Sequence, residues 1–234
     1  MRTSTKSATL LGSGALLGVV SGVLHPHRVA PNSHRAVFLE YATSRDWVWV
    51  HDLQYLSAAL VVAGFVVLYH ASAAIRPPSA LSRIALVSAG VTGSLIAVNM
   101  AVDGVALKQA VDAWAAAPEA DKAARFAAAE AVRWTEWGAN SLFTIQLGAT
   151  VLLFGWLLAV EHRRCRVPGL VAVVGGTALV ASGLQVGKEG FVPSPLPLVG
   201  LACFAVLVLG VAFRLPSPEN AAVHPGHRKP QLAH

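Results

Sequence analysis

The sequence predicts an all-α, polytopic membrane protein. It should be a bundle of six spans, with a helical hairpin extending outside the membrane between spans three and four. Three observations predict it. Charged residues make up only 13% of the 234 and hydrophobic ones 55%, with a mean hydropathy of +0.57. A soluble domain carries about 25% charged residues. Six apolar runs reach or approach the roughly 20 residues that cross a bilayer. Basic residues also gather at the ends of those runs, where anionic lipid attracts them. The net charge of +6 therefore points to membrane lipid and not to nucleic acid.

The runs are 8–24, 47–69, 83–103, 136–160, 168–186 and 196–213. His25-Pro26-His27 ends the first. Arg76-Pro77-Pro78 separates the second from the third. Glu161-His162-Arg163-Arg164-Cys165-Arg166 follows the fourth, and Pro193, Pro195 and Pro197 precede the sixth. The first run follows Arg2 and Lys6, as a secretory signal would, but no A-x-A cleavage site comes after it, so it is read as a span. Its Gly14, Gly18 and Gly22 recur every fourth residue. Such a smooth strip lets another helix approach closely, from the same chain or from a second copy in an oligomer. Residues 1–215 form the membrane domain. Residues 216–234, with four prolines, read as a disordered cytoplasmic tail.

Charge sets the orientation. With both termini in the cytoplasm of a bacterium, the inner segments hold ten basic residues, including Arg76, Arg83, Arg163, Arg164 and Arg166, against Glu161 and Glu219. Eight basic and ten acidic residues then face outward. The inner loops are short, which is where such a bias orients a chain. This is the N-in, C-in arrangement of a cytoplasmic-membrane protein. Between the third and fourth runs, residues 104–135 are mostly good helix formers. The third helix should continue to about Trp114. A new one should start with Pro118 in its first turn, followed by Glu119 and Asp121, and run into the fourth span.

The unusual polar residues lie near the outer ends. His25, His27 and His51 are candidate metal ligands, since a few histidines and a carboxylate can hold a transition ion. Interfacial histidines that are merely wet are the alternative. His51, Gln54 and Tyr55 fall within one turn of the second span. Asn99 and Asp103 are four apart in the third. Arg133, Trp137, Asn140 and Thr144 form a stripe at i, i+4, i+7 and i+11 in the fourth, flanked by Glu130 and Glu136. Polar groups in a lipid-embedded helix must face protein or water. The expectation is that these faces converge on one outward-open pocket, with Arg133 pairing Asp103. A structural hydrogen-bond network is the alternative. The inner half of the bundle reads as nearly free of polar groups, apart from His70 and His162 at its edge.

Several chemistries are excluded. No Walker A loop, no H-E-x-x-H and no G-x-S-x-G occurs. The two cysteines, Cys165 and Cys203, are in no metal or disulfide spacing. No resident cofactor is the main expectation, with a transition metal or haem b as alternatives. His51 and His70 lie roughly 28 Å apart on one helix, so each of two haems would need a second histidine, such as His25 or His162.

The stretch from Leu24-His25-Pro26 to His51, with Asp103-Gly104-Val105-Ala106-Leu107-Lys108 and Arg133-Trp134-Thr135-Glu136-Trp137-Gly138, resembles small multi-pass membrane proteins of high-GC bacteria without assigned activity. The resemblance implies topology and no mechanism. The leading expectation is a pocket that binds or transforms a lipid-soluble or periplasmic small molecule. There His51 or a carboxylate would handle a proton and Arg133 would hold an anionic group. A proton-coupled transporter and an accessory subunit of a membrane complex are the alternatives. A transporter should show a polar route continuing inward past Asn99 and Thr144.

Overall fold

The computed structural model describes residues 2–26 and 28–215. His27 and the 216–234 tail lie outside the described residues. Among these the chain is helical, without strands. Seven helices follow in order: α1 (Thr3–Leu24), α2 (His34–Thr43), α3 (Trp47–Ala73), α4 (Ala80–Ala115), α5 (Glu119–Glu161), α6 (Arg166–Glu189) and α7 (Leu196–Arg214). All but α2 are long and apolar enough to cross a membrane. The exposed side chains of Leu16, Val23, Val87, Leu198 and Phe213 form the apolar outer surface that lipid contact requires.

The helix ends follow local chemistry. α1 ends at Leu24, and His25 is extended because the following Pro26 disfavours helical backbone ahead of it. Ser79 caps α4, its hydroxyl accepting from the Ser82 N–H at 3.1 Å. Gly190 ends α6 at φ +73°, a conformation glycine alone takes without strain. Pro118 immediately precedes α5, one residue earlier than the sequence implies, and Glu119 and Asp121 complement the helix dipole.

Two features were not expected. Residues 34–43 form a short helix with Val37, Phe38 and Tyr41 on its buried side. α4 also passes through a π-helical segment, Ala101–Leu107, before resuming α geometry to Ala115. α4 and α5 meet in a helical hairpin at residues 116–118. α5 has 43 residues, about 65 Å of helix at 1.5 Å per residue, against about 30 Å of hydrocarbon. α2 packs on the part of this hairpin beyond the bundle. Phe38, Trp47, Leu107, Val111, Trp114 and Ala129 make a second small core there.

The six long helices close a ring, each touching the next: α1, α3, α4, α5, α6, α7 and back to α1. The strip on α1 is used inside the chain. A Cβ at Gly14 or Gly18 would meet α3 at Ser57 or Val61 within 2.8 Å, whereas Gly22 faces nothing within 4 Å. The tightest seam joins α5 to α6. Gly148 faces Gly176 and Gly155 faces Gly169, each close enough that an added Cβ would strike backbone, and the Ser141 hydroxyl donates to the Gly183 carbonyl at 2.8 Å. These residues recur every seven positions on both helices, the spacing of two helices that stay in register while coiling about each other.

Candidate functional site

The first turn of α3 carries Trp47 and His51, and the π-helical segment of α4 carries Asp103. π turns are rare and recur at functional sites. His51 is 2% exposed and Asp103 7%. The two helices touch here because residue 104 is glycine: a Cβ there would lie 2.8 Å from the His51 Cβ. His51 Nδ1 donates to the Trp47 carbonyl at 2.7 Å. The Trp47 indole donates to the Asp103 carbonyl at 3.2 Å. His51 Nε2 lies 3.1 Å from Asp103 Oδ2, an ion pair when the imidazole is protonated. Nε2 and the other carboxylate oxygen have no other hydrogen-bond partner among the described residues.

His25, at the end of α1, stands against this pair. Its ring centroid is 5.1 Å from that of His51, and its Nδ1 faces the Pro26 carbonyl at 2.9 Å. One ligating atom each from His25, His51 and Asp103 lies within 4.8 Å of the others. Burial pulls the His25 imidazole below its ordinary range, with the Asp103 charge opposing in part. Burial likewise pushes the neighbouring Tyr41 phenol well above its usual range.

The expected pairing of Arg133 with Asp103 is corrected. Arg133 binds Glu136 at 2.5 Å, because the i, i+3 spacing puts both on one face of α5 and His51 already holds Asp103. The guanidinium also donates to the Pro31 carbonyl at 3.2 Å and lies over the rings of Phe191 and Tyr41, at 5.0 and 5.7 Å. Residues 28–33, between α1 and α2, form a strap that Asn32 ties to the end of α6. Its amide donates to the Glu189 carbonyl at 2.9 Å and accepts from Phe191 N–H at 3.0 Å. His34 holds Glu130 at 2.9 Å.

Beneath the strap is a cavity of about 290 Å³. His25, Gln54, Asp103, Arg133, Glu136 and Asn140 are among its walls. Below it, inside the ring, is a second cavity of about 490 Å³ lined by all six long helices and mostly apolar, as at Val19, Val61, Ile96, Leu147, Leu179 and Phe204. Gln54, Met100 and Asn140 line both. Asn99 is 1% exposed and lines the lower cavity, and neither side-chain polar atom has a hydrogen-bond partner among the described residues.

Tyr55 and Trp137 lie off these walls. Tyr55 is 46% exposed, and Trp137 packs among the rings of His34, Trp134 and Phe191. The reason is the same in both. The cavity face runs through Gln54, Ala58 and Val61 on α3 and through Arg133, Glu136 and Asn140 on α5, while His51 lines neither cavity. Tyr55 and Trp137 each sit one residue past a wall residue, about 100° around the helix.

One group was missed. Halfway along the bundle Ser88, Thr92, Gln146 and Thr150 join across α4 and α5. Thr150 meets the Ser88 and Thr92 hydroxyls at 2.7 and 2.8 Å, and Gln146 donates to Ser88 at 2.9 Å. The pairs are i, i+4 on each helix, but such small polar groups barely lower a hydropathy average. Beyond them, toward His162, the interior is mainly apolar: Phe65, Leu68, Ala85, Phe154, Leu157 and Leu158 are fully buried, with Ser7 donating to the Gly64 carbonyl among them. Comparison with family models, with curated proteins and with solved structures finds no match to this chain.

Proposed function

We propose that this chain is an integral membrane protein that binds a lipid-soluble amphiphile and holds or transforms its polar head in an outward-facing pocket. The observation that carries the reading is the stacking of the two cavities. A polar chamber lined by His25, Asp103, Arg133 and Glu136 adjoins an apolar chamber between the spans, with Gln54, Met100 and Asn140 at the junction. A ligand with a polar end and an apolar body matches both. Ligand sites in general pair an apolar wall with a few convergent polar groups. Arg133 contributes shape more than charge, since Glu136 neutralises it.

The Ser88–Thr150 ladder favours the second reading, a proton-coupled transporter, because it extends polar groups inward past Asn99. The apolar plug at Phe65 and Phe154 favours the binding pocket, since the ladder ends against it.

The test is to purify the protein in mild detergent and extract what accompanies it. One amphiphile should be enriched at least tenfold over bulk membrane lipid. Ala58→Phe, which fills the lower cavity, should abolish the enrichment. Equal lipid profiles in wild type and variant would sink the reading.

A further inference from the structure

We propose that His25, His51 and Asp103 form a binding site for one divalent transition-metal ion. The donors come from three elements: the end of α1, the first turn of α3 and the π-helical segment of α4. Two imidazoles and one carboxylate, each offering an atom within 4.8 Å of the others, are the donor set that zinc and non-haem iron take.

The outer hydrogen bonds fit that role. A ring nitrogen 2.7 Å from a carbonyl oxygen carries the hydrogen, so His51 Nδ1 is the donor to Trp47. In the neutral ring Nε2 then carries the lone pair. A metal-bound histidine is ordinarily oriented by such a bond from its other nitrogen. His25 has the same arrangement toward Pro26, and the Trp47 indole holds the backbone of Asp103.

The decisive feature is spacing. His51 Nε2 and Asp103 Oδ2 stand 3.1 Å apart and buried, an ion pair when the imidazole is protonated. Nε2 and Oδ1 have no other hydrogen-bond partner among the described residues. A metal ion between the two groups would take the place of that proton. Ligands at about 2.0–2.1 Å on a tetrahedral ion lie roughly 3.3 Å apart. The His51–Asp103 pair is already at that separation. His25, on a helix end, needs a shift of about 1.5 Å, from the 4.8 Å limit to that spacing. The remaining position faces the polar cavity that His25 and Asp103 line, where a water or an oxygen of the cavity's occupant completes the shell. The site shares a wall with the amphiphile pocket and does not depend on that reading.

The experiment strips purified full-length protein with a chelator, then loads it with Zn²⁺ or Co²⁺ and measures metal by mass spectrometry. About one equivalent is expected, with Co²⁺ giving the visible bands of a four-coordinate site. His25→Ala, His51→Ala and Asp103→Asn should each reduce Zn²⁺ occupancy at least tenfold at the same free metal, while His70→Ala keeps it. X-ray absorption on the wild type counts imidazole ligands without relying on any variant's folding. Less than a tenth of an equivalent in wild type, a shell without two imidazoles, or full occupancy in the three folded variants overturns the proposal. Ala58→Phe should keep the metal, so loss of the amphiphile with metal intact fails only the earlier reading.

Discussion

Single residues decide how closely the helices meet at the site. Gly104→Ala places a Cβ 2.8 Å from the His51 Cβ, and neither backbone gives way easily. We expect about 1–3 kcal/mol of destabilisation, read as a lower midpoint of thermal unfolding. A midpoint unchanged within error would contradict this contact. At the opposite end, His162 is buried against the Ser72 hydroxyl at 2.7 Å. Burial holds its pKa below the ordinary value, with Glu161 opposing and Arg76 reinforcing. The unfolded chain takes up this proton near pH 6.5 while the folded ring stays neutral to lower pH. The stability is therefore complete above about 6.5 and declines as pH falls below it. The wild-type unfolding midpoint should drop more between pH 7 and 5 than that of His162→Gln. Parallel curves would remove His162 from the account. At this scale the sequence singled out His51, Asp103, Glu136 and Asn140 because polar residues in apolar runs are conspicuous; in the structure Asp103, Glu136 and Asn140 share one cavity wall and His51 contacts Asp103. The sequence mispaired Arg133, since which of two nearby carboxylates an arginine takes depends on a rotation that only packing fixes.

Between elements, small residues do what charge does at the site. The α5–α6 seam has no bulky side chain at Gly148, Gly155, Gly169 and Gly176, so backbones approach directly and dispersion contacts replace a hydrophobic drive that lipid does not supply. Gly176→Ala puts a methyl 2.6 Å from backbone of α5. It should cost about 1–3 kcal/mol. Gly138→Ala, which meets nothing within 4 Å, should be neutral or stabilise by up to about 1 kcal/mol by its better helix propensity. Comparing both in one unfolding series checks the seam, and equal effects would refute it. The six long helices were legible because twenty-residue apolar runs have no other common solution. α2 was not, because its ten residues bury only one narrow side. The π-helical segment of α4 was not either, because Ala101–Leu107 carries no sequence signal for an extra residue per turn, which its packed neighbours set.

At the scale of the whole molecule, the two ends of the bundle differ in kind. The His51 end carries the strap, α2 and the hairpin tip, with the polar cavity beneath. The His162 end is sealed by apolar packing and fringed by exposed Arg163, Arg164 and Arg166. Arg163 and Arg164 in the turn before α6, with Arg166 at its start, predict a cytoplasmic placement of this end, because membrane potential and anionic lipid favour basic residues there. Both termini should then be cytoplasmic, and the α4–α5 tip should stand in the outer aqueous phase. α5 is about 65 Å long by residue count, so its first half cannot lie within a 30 Å hydrocarbon layer. Ala120, exposed in the first turn of α5, is a suitable reporter. A cysteine at Ala120 should react with a membrane-impermeant thiol reagent in intact cells. A cysteine at Arg164 should react only after permeabilisation. Cys165 is buried and Cys203 half-buried, so the native background is low. Labelling with the two positions exchanged would invert the topology and place the polar cavity, with any ligand it holds, on the cytoplasmic face.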